Sequence, residues 1–258
     1  LNNTGTSELT DYQVKLTIDT ASLISEGKLR SDCGDIRFTD ANDNEIPYWI
    51  ESGCNSANTV IWVKVPNIPA SSSTTIYMYY GNPSATSESN VDNVFERKGY
   101  YNSSGAIGSL TGGYTLCFVR EENQAPNVSS ILQAIKMYSD NSNYTIKFKK
   151  VDQNFIVKGD LCNFTINNAG THILICNAFV EANYYIGTYV NKNADVAVSY
   201  GVTAEHRYTG GDASIGTELT GSGSNDYGYN MLFYYRKFAD PEPTYSIGAK
   251  ETQPEKPI

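Results

Sequence analysis

Three kinds of residue in this 258-residue sequence could carry chemistry: carboxylates gathered in one run, five cysteines, and many tyrosines. The run Asp40-Ala41-Asn42-Asp43-Asn44-Glu45 is dense in side-chain oxygens. Such oxygens suit a hard cation, so Asp40, Asp43 and Glu45 form a weak calcium candidate. The same residue types also build turns, because Asp and Asn side chains bond the backbone just ahead of them. Lying between two predicted strands, the run is read mainly as a turn.

Other carboxylates are less suggestive. Sugar hydrolysis on a β-sandwich needs two carboxylates across the sugar-binding face, usually within one strand as Glu-x-Asp-x-x-Glu. No such triplet occurs, and Glu51 and the pair Glu121-Glu122 stand apart from one another. His206 lies between Glu205 and Arg207, but no Ser or Cys nucleophile motif completes a triad. The residues therefore offer no catalytic set, and a non-enzymatic protein is expected.

The cysteines, Cys33, Cys54, Cys117, Cys162 and Cys176, show no C-x-x-C spacing, and the two histidines, His172 and His206, lie elsewhere. Zinc is disfavoured on that ground. Disulfides are the better reading: Cys33 with Cys54 around the first strands of a β-rich stretch, and Cys162 with Cys176 around a hairpin turning at Asn167-Asn168-Ala169-Gly170. Loops of that size stabilise by about 3 kcal/mol per bridge in the loop-entropy picture. Cys117 is left over, buried or bonded to another chain. Five N-x-S/T triplets, headed by Asn2, Asn102, Asn127, Asn143 and Asn163, are candidate glycosylation sites and fit the same oxidising compartment.

Tyrosine occurs 20 times, with adjacent pairs at Tyr79-Tyr80, Tyr100-Tyr101, Tyr184-Tyr185 and Tyr234-Tyr235 and a near-pair at Tyr227 and Tyr229. A tyrosine joins large apolar area to a polar tip, so these residues suit sugar stacking or contact between subunits. They equally suit strands on which one of each pair enters the core and the other faces out.

Composition narrows the field. Charged residues make up 18% of the chain and the net charge is −9. With no basic run longer than the pair Lys149-Lys150, neither nucleic acid nor an anionic membrane is an expected partner. No apolar run approaches the roughly 18 residues of a membrane span. The sparse charge and abundant Tyr, Ser, Thr, Asn and Gly suit an extracellular β protein. Since the sequence opens at Leu1 without a Met or a signal-peptide pattern, a processed or trimmed form is expected.

The elements that must position these residues are strands. Tyr12, Val14, Leu16 and Ile18 alternate with polar residues, the pattern of a half-buried strand. Residues 20–27 suggest a short helix begun by a Thr cap and ended by Gly27. Residues 35–39, 45–51, 59–65 and 74–80 are rich in Ile, Val, Thr, Tyr, Trp and Phe and read as an antiparallel meander; Val60-Ile61-Trp62-Val63, apolar on both faces, suits a strand covered on both sides. Further strands are predicted at 114–121, 131–139, 144–151, 154–158, 171–178, 184–190, 194–200, 229–237 and 244–250, with Ile146 and Phe148 alternating with Lys147 and Lys149. The expected fold is all-β, one or more antiparallel β-sandwiches of jelly-roll or concanavalin-like type with very little helix.

Several motifs then carry a family likeness. Glu8-Leu9-Thr10-Asp11-Tyr12-Gln13-Val14, Asp35-Ile36-Arg37-Phe38-Thr39-Asp40, Pro47-Tyr48-Trp49-Ile50-Glu51, Ile61-Trp62-Val63-Lys64-Val65-Pro66 and Ile76-Tyr77-Met78-Tyr79-Tyr80-Gly81-Asn82 together resemble domain of unknown function 2341. The run from Tyr234 through Pro243, with Ser246-Ile247-Gly248-Ala249, is similar to the closing segment of secreted archaeal and bacterial proteins that carry this domain. The stretch between resembles laminin-G and concanavalin-like sandwiches. The resemblance implies an exported, cell-surface or appendage-associated protein and no catalytic residues. It divides the chain into a lobe at 1–95, a second sandwich at 96–250 and a Pro-rich tail at 251–258.

Two functions fit these readings. One is a non-enzymatic structural subunit or module of a surface filament, pilus-like fibre or cell-surface layer. Leu1-Asn2-Asn3-Thr4 reads as the end of a first strand, so an unfilled sheet edge beside it suggests assembly by strand exchange between subunits. The alternative is a glycan-binding, lectin-like adhesion module of a larger secreted protein.

Overall fold

The computed structural model describes residues 1–99, 106–110, 112–118, 125–140, 143–191, 194–229 and 231–249, and side chains at all of these except 106–110, 114–118, 194–207 and 223–229. Two compact units emerge, one of Leu1–Val94 with the segment from Ala239 onward, the other of Phe95–Phe238.

The first unit is organised on β5, whose neighbours give the order β2-β5-β4. Its strands are β1 (Asn2–Asn3), β2 (Leu9–Ile18), β3 (Arg37–Thr39), β4 (Tyr48–Ser52), β5 (Thr59–Ile68), β6 (Ser72–Ser73) and β7 (Tyr77–Tyr79). Ile61, Val63, Val65 and Ile68 of β5 join Tyr12, Val14 and Leu16 of β2 in one core, which the β3-β7 pair covers with Phe38 and Met78. Phe38 meets Tyr48 at 5.4 Å between ring centroids, and the Tyr48 hydroxyl donates to the Ile36 carbonyl at 2.7 Å. Trp62, on the opposite face of β5, is also buried. Its indole N–H donates to Glu51 Oε2 at 2.7 Å. Gln13 on neighbouring β2 is buried as well and donates to the carbonyl of Val94, the last residue of the short helix α2 (Val91–Val94).

Both faces of β5 are thus covered, as its apolar run requires. The expected strands of 35–83 form, but not as a meander: β3 pairs with β7, and β4 pairs with β5. Alternation fixes which face of a strand is apolar, not which strand lies beside it. Splitting into two sheets lets Phe38 and the β5 residues bury against one another. Helix α1 (Thr20–Ser25) also differs in its cap: Asp19, rather than Thr20, accepts the Ser22 N–H at 3.0 Å. Thr20 is buried and bonds the Ser56 carbonyl instead. Gly27 follows at φ +69°, as a left-handed helix terminus favours.

The sheet edge beside Leu1 is filled by the chain itself. Leu1 and Thr74 exchange backbone hydrogen bonds at 2.8 and 2.9 Å, and Asn2 and Thr244 do the same at 2.8 and 2.9 Å. Residues 239–249 therefore pack in the first unit, which corrects their assignment to a second sandwich. Ala239 packs against the first core, and Glu242 accepts from the Tyr12 hydroxyl at 2.6 Å. The strand expected at 244–250 reduces to the bridge at Thr244 among the described residues.

The second unit is inserted between Val94 and Ala239, and its first and last strands, β8 (Glu96–Gly99) and β18 (Met231–Lys237), are paired neighbours. Between them run β9 (Ala106–Leu110), β10 (Tyr114–Phe118), β11 (Ser130–Ser139), β12 (Tyr144–Val151), β13 (Val157–Ile166), β14 (Gly170–Val180), β15 (Tyr185–Val190), β16 (Ala194–Gly210) and β17 (Gly221–Tyr229). One layer follows β14-β11-β18-β8 and the other β13-β12-β15-β10-β16, the two meeting at the single pair Ser139 and Val196. Leu132, Ile135 and Phe233 from the first layer face Ile146, Phe148, Ile186 and Val190 from the second. Phe148 and Phe233 meet edge-on at 6.4 Å.

The all-β sandwich expectation therefore holds, with two short helices among the described residues. The strand expected at 154–158 runs instead over 157–166, and the one expected at 194–200 continues to Gly210. Strand β17, GSGSNDYGY, was legible only as loop, since it offers almost no β-branched residue and pairs because β16 lies beside it.

Cys33 is bridged to Cys54 and Cys162 to Cys176, with Cα separations of 6.0 and 5.5 Å. The second bridge ties β13 to β14, which pair with β12 and β11 in different layers, so the expected hairpin around residues 167–170 is instead a crossing from one layer to the other. Replacing Cys33 and Cys54 together by Ser should lower the stability of the first unit by about 3 kcal/mol, read by urea denaturation against the oxidised parent.

Candidate functional site

The acidic run is a turn in detail. Asp40 Oδ1 accepts the N–H groups of Asn42 and Asn44 at 2.8 and 3.0 Å, and Oδ2 accepts the Asn44 side-chain amide at 2.9 Å. Bonds from the Asn44 side chain and backbone hold the Asp40 carboxyl below its ordinary range. Asp43 takes φ +63°, a region Asp tolerates, and Glu45 forms a backbone bridge to Thr39. Asp40, Asp43 and Glu45 are not brought together: among the described residues no three His, Cys, Asp or Glu side chains are grouped as metal ligands.

Tyrosines divide. Tyr234 and Tyr235 are both buried, so this pair is core and offers no stacking platform. Burial, then the Glu96 charge, raises the Tyr235 phenol. Tyr79, Tyr80, Tyr184 and Tyr185 are half-buried, with Tyr185 stacked on Phe155 at 5.6 Å. Tyr100-Tyr101 and Glu121-Glu122 lie outside the described residues, as do the side chains of Cys117, Glu205, His206, Arg207, Tyr227 and Tyr229. Asn2, Asn127, Asn143 and Asn163 are exposed, and Asn102 lies outside the described residues.

The densest chemistry is one that sequence reasoning missed. Lys147 and Lys149 of β12 alternate with Ile146 and Phe148, a pattern that by itself leaves both lysines facing solvent. Yet the Lys149 side chain is 2% exposed. The cause is the segment after β16, where Ala213 and Leu219 pack against Val151 and Val157 and close over the outer face of β12 and β13. Backbone bonds hold that segment down, from Val157 N–H to the Thr217 carbonyl and from Leu219 N–H to the Phe155 carbonyl, each 2.9 Å.

Under this cover the Lys149 ammonium meets three acceptors, Asp160 Oδ1 at 2.5 Å, Asp212 Oδ1 at 2.6 Å and the Ala213 carbonyl at 3.0 Å. That matches the three donors of an ammonium. Asp160 faces Lys149 directly across the β12-β13 ladder. Asp212 is held at its other oxygen by Lys147. Burial acts to raise the Asp212 carboxyl, but hydrogen bonds from Lys147 and Lys149 outweigh it and hold the group below its ordinary value. Lys147 is raised, first by its bond to Asp212. No sequence signal pointed here, because Asp212 is more than 60 positions from its lysines and only the folded segment brings it over.

A second polar anchor supports the same cover. Asp152 accepts N–H groups of Asn154 and Ile156 at 2.9 and 3.0 Å and pairs with Lys158 at 2.9 Å.

The fold and these sites define an all-β protein of two units with disulfide staples and a buried lysine held by two aspartates. Residues 32–103 match the family described as a domain of unknown function (DUF2341), so the likeness carried by the motifs from Asp35 to Asn82 is that of a real family segment. The match falls on β3 to β8, while β2, which holds Leu9 to Val14 of the first motif, lies outside it yet packs in the same core. No curated protein and no solved structure matches the chain. Two disulfides are consistent with a secreted or extracellular protein, and no described helix is long and apolar enough to cross a membrane.

Two outcomes test these assignments. The melting temperature should be the same in calcium as in a chelator, since Asp40 is already committed to its own turn. The Asp152 carboxyl is lowered from 3.8: burial raises it, but bonds from Ile156, Lys158 and Asn154 prevail. Its stabilisation is therefore complete above the unfolded value and is lost as pH falls through the folded one. Asp152→Asn should flatten the acid limb of a stability-against-pH curve below about pH 4, measured by chemical denaturation.

Proposed function

We propose that this chain is a non-enzymatic structural module of an extracellular surface assembly, a filament, fibre or surface layer, whose copies associate through the outward face of β14. The observation that supports this is an apolar stripe. Ile173, Ile175 and Phe179 are 40%, 38% and 41% exposed along one strand, and Phe179 packs edge-on against the exposed Phe238 at 5.3 Å. Outer strands commonly carry charge that discourages association. Strand β14, GTHILICNAFV, carries no Asp, Glu, Lys or Arg.

A second copy of the chain is the occupant that fits. With a net charge of −9, contact between copies elsewhere sets like charges against each other, whereas this stripe brings none from its own strand. A two-fold contact presents the same stripe from both sides and is self-complementary. The Cys162–Cys176 bridge fixes β14 to β13 and so stiffens the surface offered. Because Leu1 to Asn3 are already paired within the chain, the reading places assembly at side chains of β14 rather than at an exchanged first strand. The matched family has no named activity to transfer.

Sedimentation velocity of the full chain should show association that grows with concentration. Combined Ile175→Lys and Phe179→Asp substitution should leave a monomer with an unchanged circular dichroism spectrum. A parent chain that stays monomeric at every concentration, and is single in images of native surface material, overturns the proposal.

A further inference from the structure

We infer that Lys149 and Asp212 are joined by an intramolecular isopeptide bond, formed by the protein itself, with Asp160 moving the proton and Lys147 holding the carboxylate that is attacked. This rests on the cluster alone and is independent of any surface assembly.

Four features of the geometry support it. Lys149 Nζ touches Asp212 at 2.6 Å with its side chain 2% exposed, so the nucleophile is held against its electrophile with little water to compete. Asp212 is pinned at both oxygens, Oδ1 by Lys149 and Oδ2 by Lys147, so the carboxyl carbon cannot rotate away. The Lys147 ammonium sits where negative charge gathers as the carbon becomes tetrahedral. Asp160, 2.5 Å from Nζ and 54% exposed, is in hydrogen-bond reach of the ammonium and open to solvent, which suits proton transfer.

The step balances. Asp160 takes one proton from the Lys149 ammonium, and the amine lone pair attacks Asp212 Cγ while the carbonyl π pair moves onto oxygen beside Lys147. Asp160 returns its proton to one Asp212 oxygen, and the second proton from nitrogen joins the same oxygen. The C–O bond breaks, one water leaves, and a secondary amide remains. No oxidant, reductant or further reactant is needed. A buried ammonium and its carboxylate become one neutral amide, which an apolar enclosure tolerates better than two charges. The Ala213 carbonyl, 3.0 Å from Nζ, is placed to accept the remaining amide N–H.

Asp212 rather than Asp160 is the electrophile because it is the more enclosed, 32% against 54% exposed, and because Lys147 adds a second ammonium to Asp212. The bond would tie β12 covalently to the segment that covers it.

Mass spectrometry of the full chain, deglycosylated and reduced, tests this without any variant. The expected mass is that of the sequence less one water, and proteolysis should release a branched peptide joining the segments that hold Lys149 and Asp212. Lys149→Arg and Asp212→Ala should each restore the full mass and abolish the branch, and Asp160→Ala should slow or prevent its formation. A parent chain at full sequence mass overturns the inference. So does a missing water that maps to a linear succinimide peptide, or a branch ending at Asp160. A branch that forms unchanged in Asp160→Ala overturns the proton-transfer role.

Discussion

Burial of β5 on both faces is the constraint on which the first unit depends. A strand with Ile61, Val63 and Val65 on one side and Trp62 on the other is stable only between two covers. The inner cover is the β3-β7 pair, brought down by Phe38 and Met78. On the outer side Trp62 is buried and bonded to Glu51, and Gln13 is tied to the end of α2. Once those layers are fixed, the remaining parts follow as closures. Cys33 and Cys54 staple the loops that lead into β3 and out of β4, and Asn2 and Thr244 join the two chain segments that frame the insertion.

The second unit answers the same need differently. Its two layers bury one core between them, but β12 also carries side chains on the outer face, and the segment after β16 folds back to cover those. Ala213 and Leu219 make an apolar lid on Val151 and Val157, and that lid encloses a lysine. A charge under an apolar cover is unfavourable unless its donors are matched. Here three acceptors converge on one ammonium, two of them carboxylates. The packing that closes the sandwich surface is therefore also what creates the cluster of Lys147, Lys149, Asp160 and Asp212.

The stapled edge of this unit contrasts with that polar enclosure. Along β14 the inward residues Leu174 and Val180 are buried, while Ile173, Ile175 and Phe179 face out. A strand apolar on both faces is unusual at the surface of an acidic chain, and the disulfide to β13 in the other layer holds it in place. The inner face belongs to the fold, and the outer face is left exposed.

Much of this was legible from residue order. Period-two alternation gave Tyr12, Val14 and Leu16 as core, the double-faced run gave β5 its central place, and cysteine order gave both bridges, since the partners of each pair are close along the chain. The acidic turn was legible too, because an Asx side chain acts on its immediate neighbours. What sequence alone determined is thus what depends on contacts a few residues apart: strand positions, faces, turns and local staples. Only tertiary structure decided that β3 pairs with β7, that residues 239–249 return to the first unit, and that a lysine on an apparently solvated face is enclosed. Each of these depends on which distant segment arrives to cover a surface, and strand pairing and burial are set by the competition among all segments at once, which no local pattern encodes.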